Sequence, residues 1–337
     1  MRVLTIYDKS GPKYHRCLLP LFLMEGIELT VNSVIVEAQA ATCDILFVNR
    51  IISNTTLDTI CQLRDKYGFK LIVDYDDHWR LSPDHYLYEL YKEHRASELM
   101  EVYITEADAV TVTHERLADE VRPLNNNVTI LPNAMPAFGQ FLAKKEPSPF
   151  TRLFWAGGIT HKKDIELIRN SLKRFGNFKN IQMVMGGYVE DHPEYNAMSS
   201  AFTNGGRLYH NLIKSLPVDQ YYYMYSQCDI ALIPLTVTTF NSFKSNLKIL
   251  EAANIAAPVV VSRVHPYLDF PEDLVNYVDS KKDWYSHVKM LLDNHDYATA
   301  QGLALQAYCK KNYNFDTINE KRKKVFESAI IGIAAGA

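Results

Sequence analysis

Residues Cys228–Ser262, CDIALIPLTVTTFNSFKSNLKILEAANIAAPVVVS, contain the pattern that decides the fold. The pattern predicts a buried strand over Asp229–Pro234, a polar loop, a helix over about Asn246–Asn254 and a second buried strand over Pro258–Ser262. Both predicted strands are mostly apolar runs, which is typical of strands that are covered on both faces of a parallel sheet. We therefore expect one strand–loop–helix–strand unit of a doubly wound α/β sheet.

The loop and the helix start of this unit carry small polar and cationic side chains. In open parallel sheets, ligands bind beyond the carboxyl ends of the strands, where helix N-termini attract phosphate. These positions hold Ser242, Lys244, Ser245 and Asn246. Lys248 and Glu251 follow one helical turn apart on the same face, so Glu251 could bind a ribose diol while the residues ahead of it bind a diphosphate. The alternative is an ordinary surface loop with a solvated Lys–Glu pair.

The same stretch resembles the donor-site signature of family 4 glycosyltransferases, which have the GT-B fold. The residues that match the second half of this signature are Glu251, Ala252, Ala253, Pro258, Val259, Val260 and Ser262. Phe243 stands at the position of the family's first Glu, and Ala256 stands where the family usually has Gly. The resemblance implies that Glu251 binds the ribose of a nucleotide-diphosphate sugar, and that glycosyl transfer retains the anomeric configuration. No residue inherits the role of the first Glu.

The composition indicates a globular protein with more than one domain. The chain has 337 residues, of which 47% are hydrophobic and 22% are charged. Its net charge of −3 provides no overall attraction to nucleic acids or anionic membranes. The five cysteines lack metal-ligand spacing, so we expect reduced thiols in a cytoplasmic protein. No stretch approaches the length of a membrane span, and Met1–Tyr7 is expected to be a first strand rather than a signal peptide.

The first half of the chain alternates between strands and helices. Buried strands are predicted over Met1–Tyr7, Ile27–Val31, Asp44–Val48, Lys70–Val73, Ala107–Thr113 and Val128–Pro132. Helices are predicted over Asn54–Tyr67, with Asn54 or Thr55 as the N-cap, and over Tyr86–Met100. The loop Asp8–Arg16 follows the first strand at the edge that would face an interdomain cleft, so Ser10 and Gly11 are candidate donor-binding residues; a simple tight turn is the alternative.

An acidic segment, Asp74-Tyr75-Asp76-Asp77-His78-Trp79, directly follows the strand over Lys70–Val73. So much charge at the end of a buried strand is costly, and this favours a functional role. We predict that Asp76, Asp77 and His78 are catalytic residues that contact the sugar or the acceptor hydroxyl. Two alternatives stay open: the Asp-x-Asp pattern could bind a metal–diphosphate complex, as in the GT-A fold, or one Asp could cap the next helix.

The second half begins with a strand over Arg152–Trp155, followed by the segment Ala156–Asp164, AGGITHKKD. Paired glycines allow the backbone to approach phosphate, and Asp164 is placed to cap a helix that begins near Ile165. The segment resembles the loop that binds the donor diphosphate in family 4 enzymes. The resemblance implies phosphate contacts for Gly157, Gly158, His161 and Lys162.

Further elements complete the second half. A strand over Ile181–Met185 leads into a Gly186–Tyr188 turn, which resembles the place where the family binds the nucleobase, so Gly187 is a candidate. Helices are predicted over Pro217–Cys228, Asp283–Asn294, Tyr297–Asn312 and Phe315–Ser328, and a last short strand is predicted over Val275–Val278. The full candidate donor-binding set is Ser10, Gly11, Gly157, Gly158, His161, Lys162, Gly187, Ser245, Asn246, Lys248 and Glu251.

Taken together, the patterns and the resemblance predict an α/β protein with two Rossmann-like doubly wound domains facing a cleft, which is the GT-B fold. The predicted boundaries are 1–135 for an acceptor-side domain, 136–150 for a linker, 151–312 for a nucleotide-sugar-binding domain, and 313–330 for a C-terminal helix that crosses back to the first domain. The predicted function is sugar transfer from a nucleotide-diphosphate sugar to an acceptor hydroxyl, without a metal or another cofactor.

The acceptor stays open between a saccharide or lipid-linked glycan and a hydroxymethylated base in phage DNA. The second option rests on the loop Asp8–Arg16 and the segment Asp74–Trp79, which resemble those of phage-encoded relatives. A non-catalytic GT-B-like protein that binds nucleotide sugars is the alternative to an enzyme.

Overall fold

The computed structural model describes residues 1–7, 9–50, 53–83, 85–135 and 145–332, and the chain forms two compact units. Unit 1 comprises Met1–Ala134, the short segment Phe243–Ser245 and the chain from Phe315 onward. Unit 2 comprises Met135–Ser242 and Asn246–Asn314. Residues 136–144 of the predicted linker, and Asp8 of the predicted first loop, lie outside the described residues. The predicted domain boundaries stay predictions.

Unit 1 is built on a parallel six-stranded sheet. Its strands are β1 (Arg2–Ile6), β2 (Glu28–Asn32), β3 (Ile45–Asn49), β4 (Lys70–Tyr75), β5 (Ala109–Val112) and β6 (Val128–Ile130). Their order across the sheet is β2-β1-β3-β4-β5-β6, so the winding reverses between β1 and β3. Its helices are α1 (Gly11–Lys13), α2 (Leu19–Phe22), α3 (Glu37–Ala40), α4 (Asn54–Tyr67), α5 (Tyr88–Glu93), α6 (Ala96–Glu106), α7 (Glu115–Val121) and, from the end of the chain, α13 (Phe315–Ile331).

Both faces of the unit 1 sheet are buried, because alternate residues of each strand enter different apolar clusters. In β3, Leu46 and Val48 pack in one cluster, whereas Ile45 and Phe47 pack in the other. The second cluster is completed by α13, whose Phe326 ring lies 5.3 Å from that of Phe47. The last described helix thus covers a face of the first sheet, as predicted.

Unit 2 repeats this architecture with a second parallel six-stranded sheet. Its strands are β7 (Thr151–Ala156), β8 (Ile181–Tyr188), β9 (His210–Lys214), β10 (Ile230–Ile233), β11 (Val259–Ser262) and β12 (Asn276–Val278). Their order is β12-β11-β10-β7-β8-β9, so the winding reverses between β7 and β10. Its α-helices are α8 (Lys162–Phe175), α9 (Pro193–Phe202), α10 (Leu247–Asn254), α11 (Asp283–Asp293) and α12 (His295–Asn312), and 3-10 turns lie at Ile159–His161, Tyr221–Gln227 and Phe240–Phe243.

The predicted fold class, with two doubly wound parallel sheets, is confirmed, and several predicted elements need correction. The predicted helix Tyr86–Met100 is two helices, α5 and α6, because Arg95 between them adopts a left-handed conformation with φ 49°. The predicted turn Gly186–Tyr188 is the end of strand β8. Within the described parts of the chain, no helix combines the length and the apolar character needed to cross a bilayer.

Two predicted caps are also wrong. The N-cap of α4 is Ser53, whose side-chain oxygen accepts a hydrogen bond from Thr56 N at 3.3 Å. Helix α8 begins at Lys162 rather than near Ile165, so Asp164 lies inside its first turn. The segment Pro217–Cys228, predicted as a helix, contains only a 3-10 turn.

Candidate functional site

The carboxyl ends of β7 and β10 form the point in unit 2 where the winding reverses, and ligands bind to open α/β sheets at such points. Three side chains converge on Gly157, directly after β7. A Cβ built on Gly157 would lie 2.9 Å from Trp155 Cζ2, 3.0 Å from Lys248 Nζ and 3.1 Å from His161 Cδ2. A larger residue at Gly157 would therefore displace these groups. Because Gly157 has no side chain, the His161 imidazole, the Lys248 ammonium group and the Trp155 indole can all lie close to its backbone.

The Lys248 ammonium group is held at this end of the sheet by backbone and by an aromatic ring. Its Nζ donates a hydrogen bond to Ala156 O at 2.8 Å and lies 5.3 Å from the centre of the Trp155 ring. Gly187, at the end of β8, also lies close to Gly157. It has φ 86°, and a Cβ built on it would lie 3.2 Å from Gly157 O. The backbone of β8 therefore approaches that of the Gly157 loop directly.

His161 and Asp164 form a hydrogen-bonded pair at the start of α8. His161 Nδ1 donates to Asp164 Oδ2 at 2.6 Å. The other carboxylate oxygen accepts from both Thr236 N and Thr236 Oγ1, each at 2.7 Å. Asp164 is buried; although desolvation opposes it, the hydrogen bonds from His161 and Thr236 hold the pKa of its carboxyl group below the usual range. This carboxylate connects the loop after β7 with the loop after β10.

Glu251 is buried in α10 and faces a tyrosine. Its carboxylate accepts a hydrogen bond from Tyr225 OH at 2.6 Å. Desolvation raises the pKa of Glu251 to about 7, although the Tyr225 hydrogen bond and the Lys248 charge both act to lower it. Burial raises the pKa of a second tyrosine, Tyr221, and the nearby Glu251 charge raises it further. The carboxyl group of Glu251 can therefore change its charge near neutral pH.

The structure brings some of the predicted donor-binding residues together and leaves others apart. Within unit 2, Gly157 contacts His161, Lys248 and Gly187. Lys162 is exposed, and its Nζ lies 2.7 Å from Glu194 Oε2. A Cβ built on Gly158 would have Tyr195 OH as its nearest described neighbour, at 3.7 Å. Asn246 is a buried residue of unit 2 at the start of α10.

Three further candidates belong to unit 1. Ser10 precedes α1 and Gly11 is its first residue. Ser245 Oγ accepts a hydrogen bond from Asn133 Nδ2 at 2.7 Å. All three residues belong to unit 1, whereas the group around Gly157 belongs to unit 2.

The acidic segment of unit 1 consists of carboxylates with different partners. Asp74 is fully buried and accepts hydrogen bonds from Arg16 Nε at 2.9 Å, Arg16 Nη2 at 2.7 Å and Thr111 Oγ1 at 2.6 Å. Such saturation of both oxygens indicates a structural ion pair. Asp76 and Asp77 instead lie around Arg50, with Arg50 Nε 3.0 Å from Asp76 Oδ1 and Arg50 Nη1 3.5 Å from Asp77 Oδ2. Burial raises the pKa of Asp76, and Arg50 opposes this shift.

His78 is buried and packs flat against Phe243, with ring centres 4.3 Å apart. Its Nδ1 lies 3.0 Å from Arg80 O. Within the described structure, its Nε2 has no hydrogen-bond partner and lies 3.7 Å from Glu120 Oε2. The ring is thus part of the core of unit 1, next to Phe243.

Sequence reasoning missed four features of these sites. Tyr225 lies in a tyrosine-rich run without a distinctive pattern, and its contact with Glu251 depends on tertiary packing. Trp155 was assigned only to a strand, and Asp164 only to a cap. Arg50 carried no motif. The described ranges contain no group of three or more His, Cys, Asp and Glu side chains arranged to hold a metal ion.

No family model matches the sequence, and no match was found among curated proteins. Three similar solved structures are HepE from Anabaena in complex with uridine diphosphate (UDP) and glucose, a glycosyltransferase from Rickettsia africae, and TarM from S. aureus. HepE is 12% identical, with a TM-score of 0.69 and coverage of 97% of this chain and 100% of HepE.

The Rickettsia enzyme is 10% identical, with a TM-score of 0.65 and 98% coverage of both chains. TarM is 11% identical, with a TM-score of 0.63, and covers 84% of this chain, which spans 55% of TarM. At these identities the similarity establishes the fold alone. The two parallel six-stranded sheets with their flanking helices constitute the GT-B fold.

Proposed function

We propose that this protein is a glycosyltransferase that moves a sugar from a nucleotide-diphosphate sugar to an acceptor hydroxyl, with unit 2 binding the nucleotide. The observation that supports this proposal is the group of His161, Lys248 and bare glycine backbone at the winding reversal of the second sheet. Two nitrogen-bearing side chains beside exposed backbone suit a diphosphate. Glu251, one turn beyond Lys248, is placed to accept hydrogen bonds from a ribose diol.

In this mechanism, bond cleavage at the anomeric carbon leaves negative charge on the departing diphosphate. Lys248 and protonated His161 stabilise that charge, which lowers the barrier without a metal. Gly187 supplies backbone for the nucleobase. We assign the sugar or the acceptor hydroxyl to Asp76, Asp77 and His78 of unit 1, and we propose retention of configuration, which the family 4 resemblance implies.

Uridine nucleotides are the first donors to test, because HepE was solved with UDP and with UDP-glucose. A thermal-shift screen of nucleotides and nucleotide sugars should identify a donor, since a ligand that binds the folded state raises its melting temperature. The Glu251→Ala variant should lose most of that shift, whereas Glu166→Gln, which changes an exposed carboxylate of α8, should keep it. If no nucleotide diphosphate or nucleotide sugar stabilises the wild type, the proposed function is wrong.

A second candidate is a non-catalytic protein that binds nucleotide sugars, and Phe243 favours it. Phe243 is apolar where the family has an acid, and it is buried among the core residues of unit 1. Slow hydrolysis of the identified donor, measured by release of the nucleotide diphosphate, separates the candidates. An enzyme releases the nucleotide and a binding protein does not, and Lys248→Ala should abolish the release.

The acceptor classes differ in their response to salt. A modified-DNA acceptor predicts retention on hydroxymethylated DNA that falls steeply with ionic strength, whereas a glycan acceptor predicts no such retention. We also propose a cytoplasmic location, where the five cysteines stay reduced.

A further inference from the structure

We propose that Asp164 is a positioning residue that keeps His161 protonated and oriented, so that the imidazolium Nε2–H group binds the diphosphate of the donor. This inference rests on the proposed function, because it assigns a role within the same nucleotide site. Sequence reasoning had given Asp164 only a capping role. The helix begins two residues earlier, so a cap does not account for its burial or for its contacts.

The orientation of His161 follows from two contacts on different sides of its ring. Nδ1 is 2.6 Å from Asp164 Oδ2, and an ionised carboxylate can only accept, so Nδ1 carries a proton. On the opposite edge of the ring, Cδ2, which is bonded to Nε2, lies 3.1 Å from a Cβ built on Gly157. The imidazole therefore joins a buried carboxylate to the glycine backbone assigned to the diphosphate.

Asp164 is itself fixed as an anion. Thr236 donates to Oδ1 through both its backbone N–H and its hydroxyl group, and Asn241 Nδ2 donates in turn to Thr236 O at 2.9 Å. Three hydrogen bonds to one carboxylate favour its charged form. The anion favours a positive charge on the imidazole that it contacts, and this is the state in which Nε2 also carries a proton.

Other charged and titratable groups near His161 differ in their effect on the charge of its imidazole. The Lys248 ammonium group lies 3.0 Å from the same built Gly157 Cβ and opposes a second positive charge. Lys162 and Lys163 are exposed on the first turn of α8, where solvent screens them. Tyr267 is buried, and the Asp164 charge helps to raise its pKa, so it stays neutral. Without Asp164, the balance at His161 would thus shift towards the neutral ring.

The test compares UDP affinity across pH in the wild type, in Asp164→Asn and in the control Glu166→Gln. Asn keeps the size of the side chain but removes its charge, so the pKa of His161 should fall. Low pH protonates the imidazole in both the wild type and Asp164→Asn, so the difference between their UDP affinities should narrow as the pH falls. At pH 7.5 the variant should bind about tenfold or more weakly, and Glu166→Gln should follow the wild type throughout.

A second readout needs no ligand. NMR titration of the His161 ring in the free protein, assigned with His161→Gln, should give a lower pKa in Asp164→Asn than in the wild type. An unchanged His161 pKa overturns the positioning role. A lowered His161 pKa with a pH-independent loss of UDP affinity also overturns it, because packing alone would then explain the loss.

The two proposals can fail separately. If the wild type binds no nucleotide diphosphate, the proposed function fails, while the NMR titration still tests the Asp164–His161 pair. If Asp164→Asn does not fold, His161→Gln carries the test, because loss of the imidazole should remove the same pH-dependent part of UDP affinity. A His161→Gln profile identical to that of the wild type overturns the proposal.

Discussion

Glu251 combines burial, a raised pKa and a proposed role in donor binding. Its carboxyl group is ionised in the unfolded chain above about pH 4.5, whereas in the folded protein its pKa is about 7. A group whose pKa is raised by folding contributes stability that is present at low pH and is lost as pH rises through the folded value. Ionisation of Glu251 should therefore cost folding free energy as pH rises from about 4.5 to 7.

The first prediction concerns Glu251→Gln, which keeps an acceptor for Tyr225 but cannot ionise. Relative to the wild type, its free energy of unfolding should rise by about 3 kcal/mol between pH 4.5 and pH 7.5, from the size of the pKa shift. Denaturant unfolding at several pH values measures this difference. Glu166→Gln, at an exposed position on α8, should show no such rise, and a parallel pH profile for the two variants would contradict the prediction.

The second prediction concerns Tyr225, whose hydroxyl group donates to Glu251. Tyr225→Phe removes a hydrogen bond that favours the carboxylate, so the pKa of Glu251 should rise further. Ribose binding needs the carboxylate, and donor affinity should fall severalfold near pH 7 and approach the wild-type value near pH 9. Calorimetry across pH measures it, with Tyr223→Phe, an exposed tyrosine of the same run, as the control. An equal loss at every pH would indicate lost packing instead.

The third prediction concerns the carboxylates around Arg50 in unit 1. Asp76→Asn and Asp77→Asn remove charge but preserve size, so turnover should fall tenfold or more if these residues act on the sugar or the acceptor. Affinity for the free nucleotide diphosphate should hardly change, because we assign the nucleotide to unit 2. Steady-state rates beside calorimetry decide this, with the exposed Asp58→Asn as the control. Equal losses in rate and affinity would place the carboxylates at the nucleotide, and no loss would make them structural.

At the scale of elements, the strands with continuous apolar sequences were predictable. The helix Asn54–Tyr67 was also predicted with its observed bounds, and the structure shows that Gly68 ends it in a left-handed conformation. Strand β9, HNLIK, was missed because it lies at the sheet edge, where half-exposed polar residues hide the apolar pattern. The break between α5 and α6 was missed because Arg95, unlike a glycine, gives no sign of a positive φ.

In the candidate site, too, some residues could be predicted from the sequence and others could not. Gly157, Lys248 and Glu251 could be assigned to one end of the second sheet because strand ends of a parallel sheet meet at a common edge. The Tyr225–Glu251 and Asp164–Thr236 contacts join segments that are far apart in the chain, and the sequence carries no local signal for them. Ser245 was assigned to the donor from its position in the chain, and only tertiary packing reveals its hydrogen bond with Asn133.

The fourth prediction belongs to the packing of α12 on the chain that connects α10 with β11. A Cβ built on Gly302 would lie 2.0 Å from Ala256 O, so backbone would have to move to accommodate it. Gly302→Ala should destabilise the protein by about 3 kcal/mol or more, despite the better helix propensity of Ala. Gly176→Ala, whose new Cβ would meet its nearest neighbour at 3.7 Å, is the matched control. Similar melting temperatures for the two variants would contradict this close approach.

At the scale of the whole molecule, the net charge is −3, so attraction of a nucleotide must come from local groups. Unit 2 supplies the side chains of Lys248 and His161 beside Gly157. In the acidic segment of unit 1, Asp74 forms an ion pair with Arg16, and Asp76 and Asp77 both form ion pairs with Arg50. Two arginines thus offset two of the three carboxylate charges of the acidic segment, which weakens the case for a metal–diphosphate site there.

The last prediction follows from this distribution of charge. If protein cations stabilise the departing diphosphate, turnover with the identified donor should stay within about twofold of its initial value in excess EDTA. Steady-state rates before and after chelation measure this, with a Mn²⁺- or Mg²⁺-dependent glycosyltransferase as the assay control. A loss of turnover that either ion restores would show that a divalent cation takes part. Asp76→Asn would then test whether the cation binds at the acidic segment, because the variant should need a higher metal concentration for half-maximal turnover.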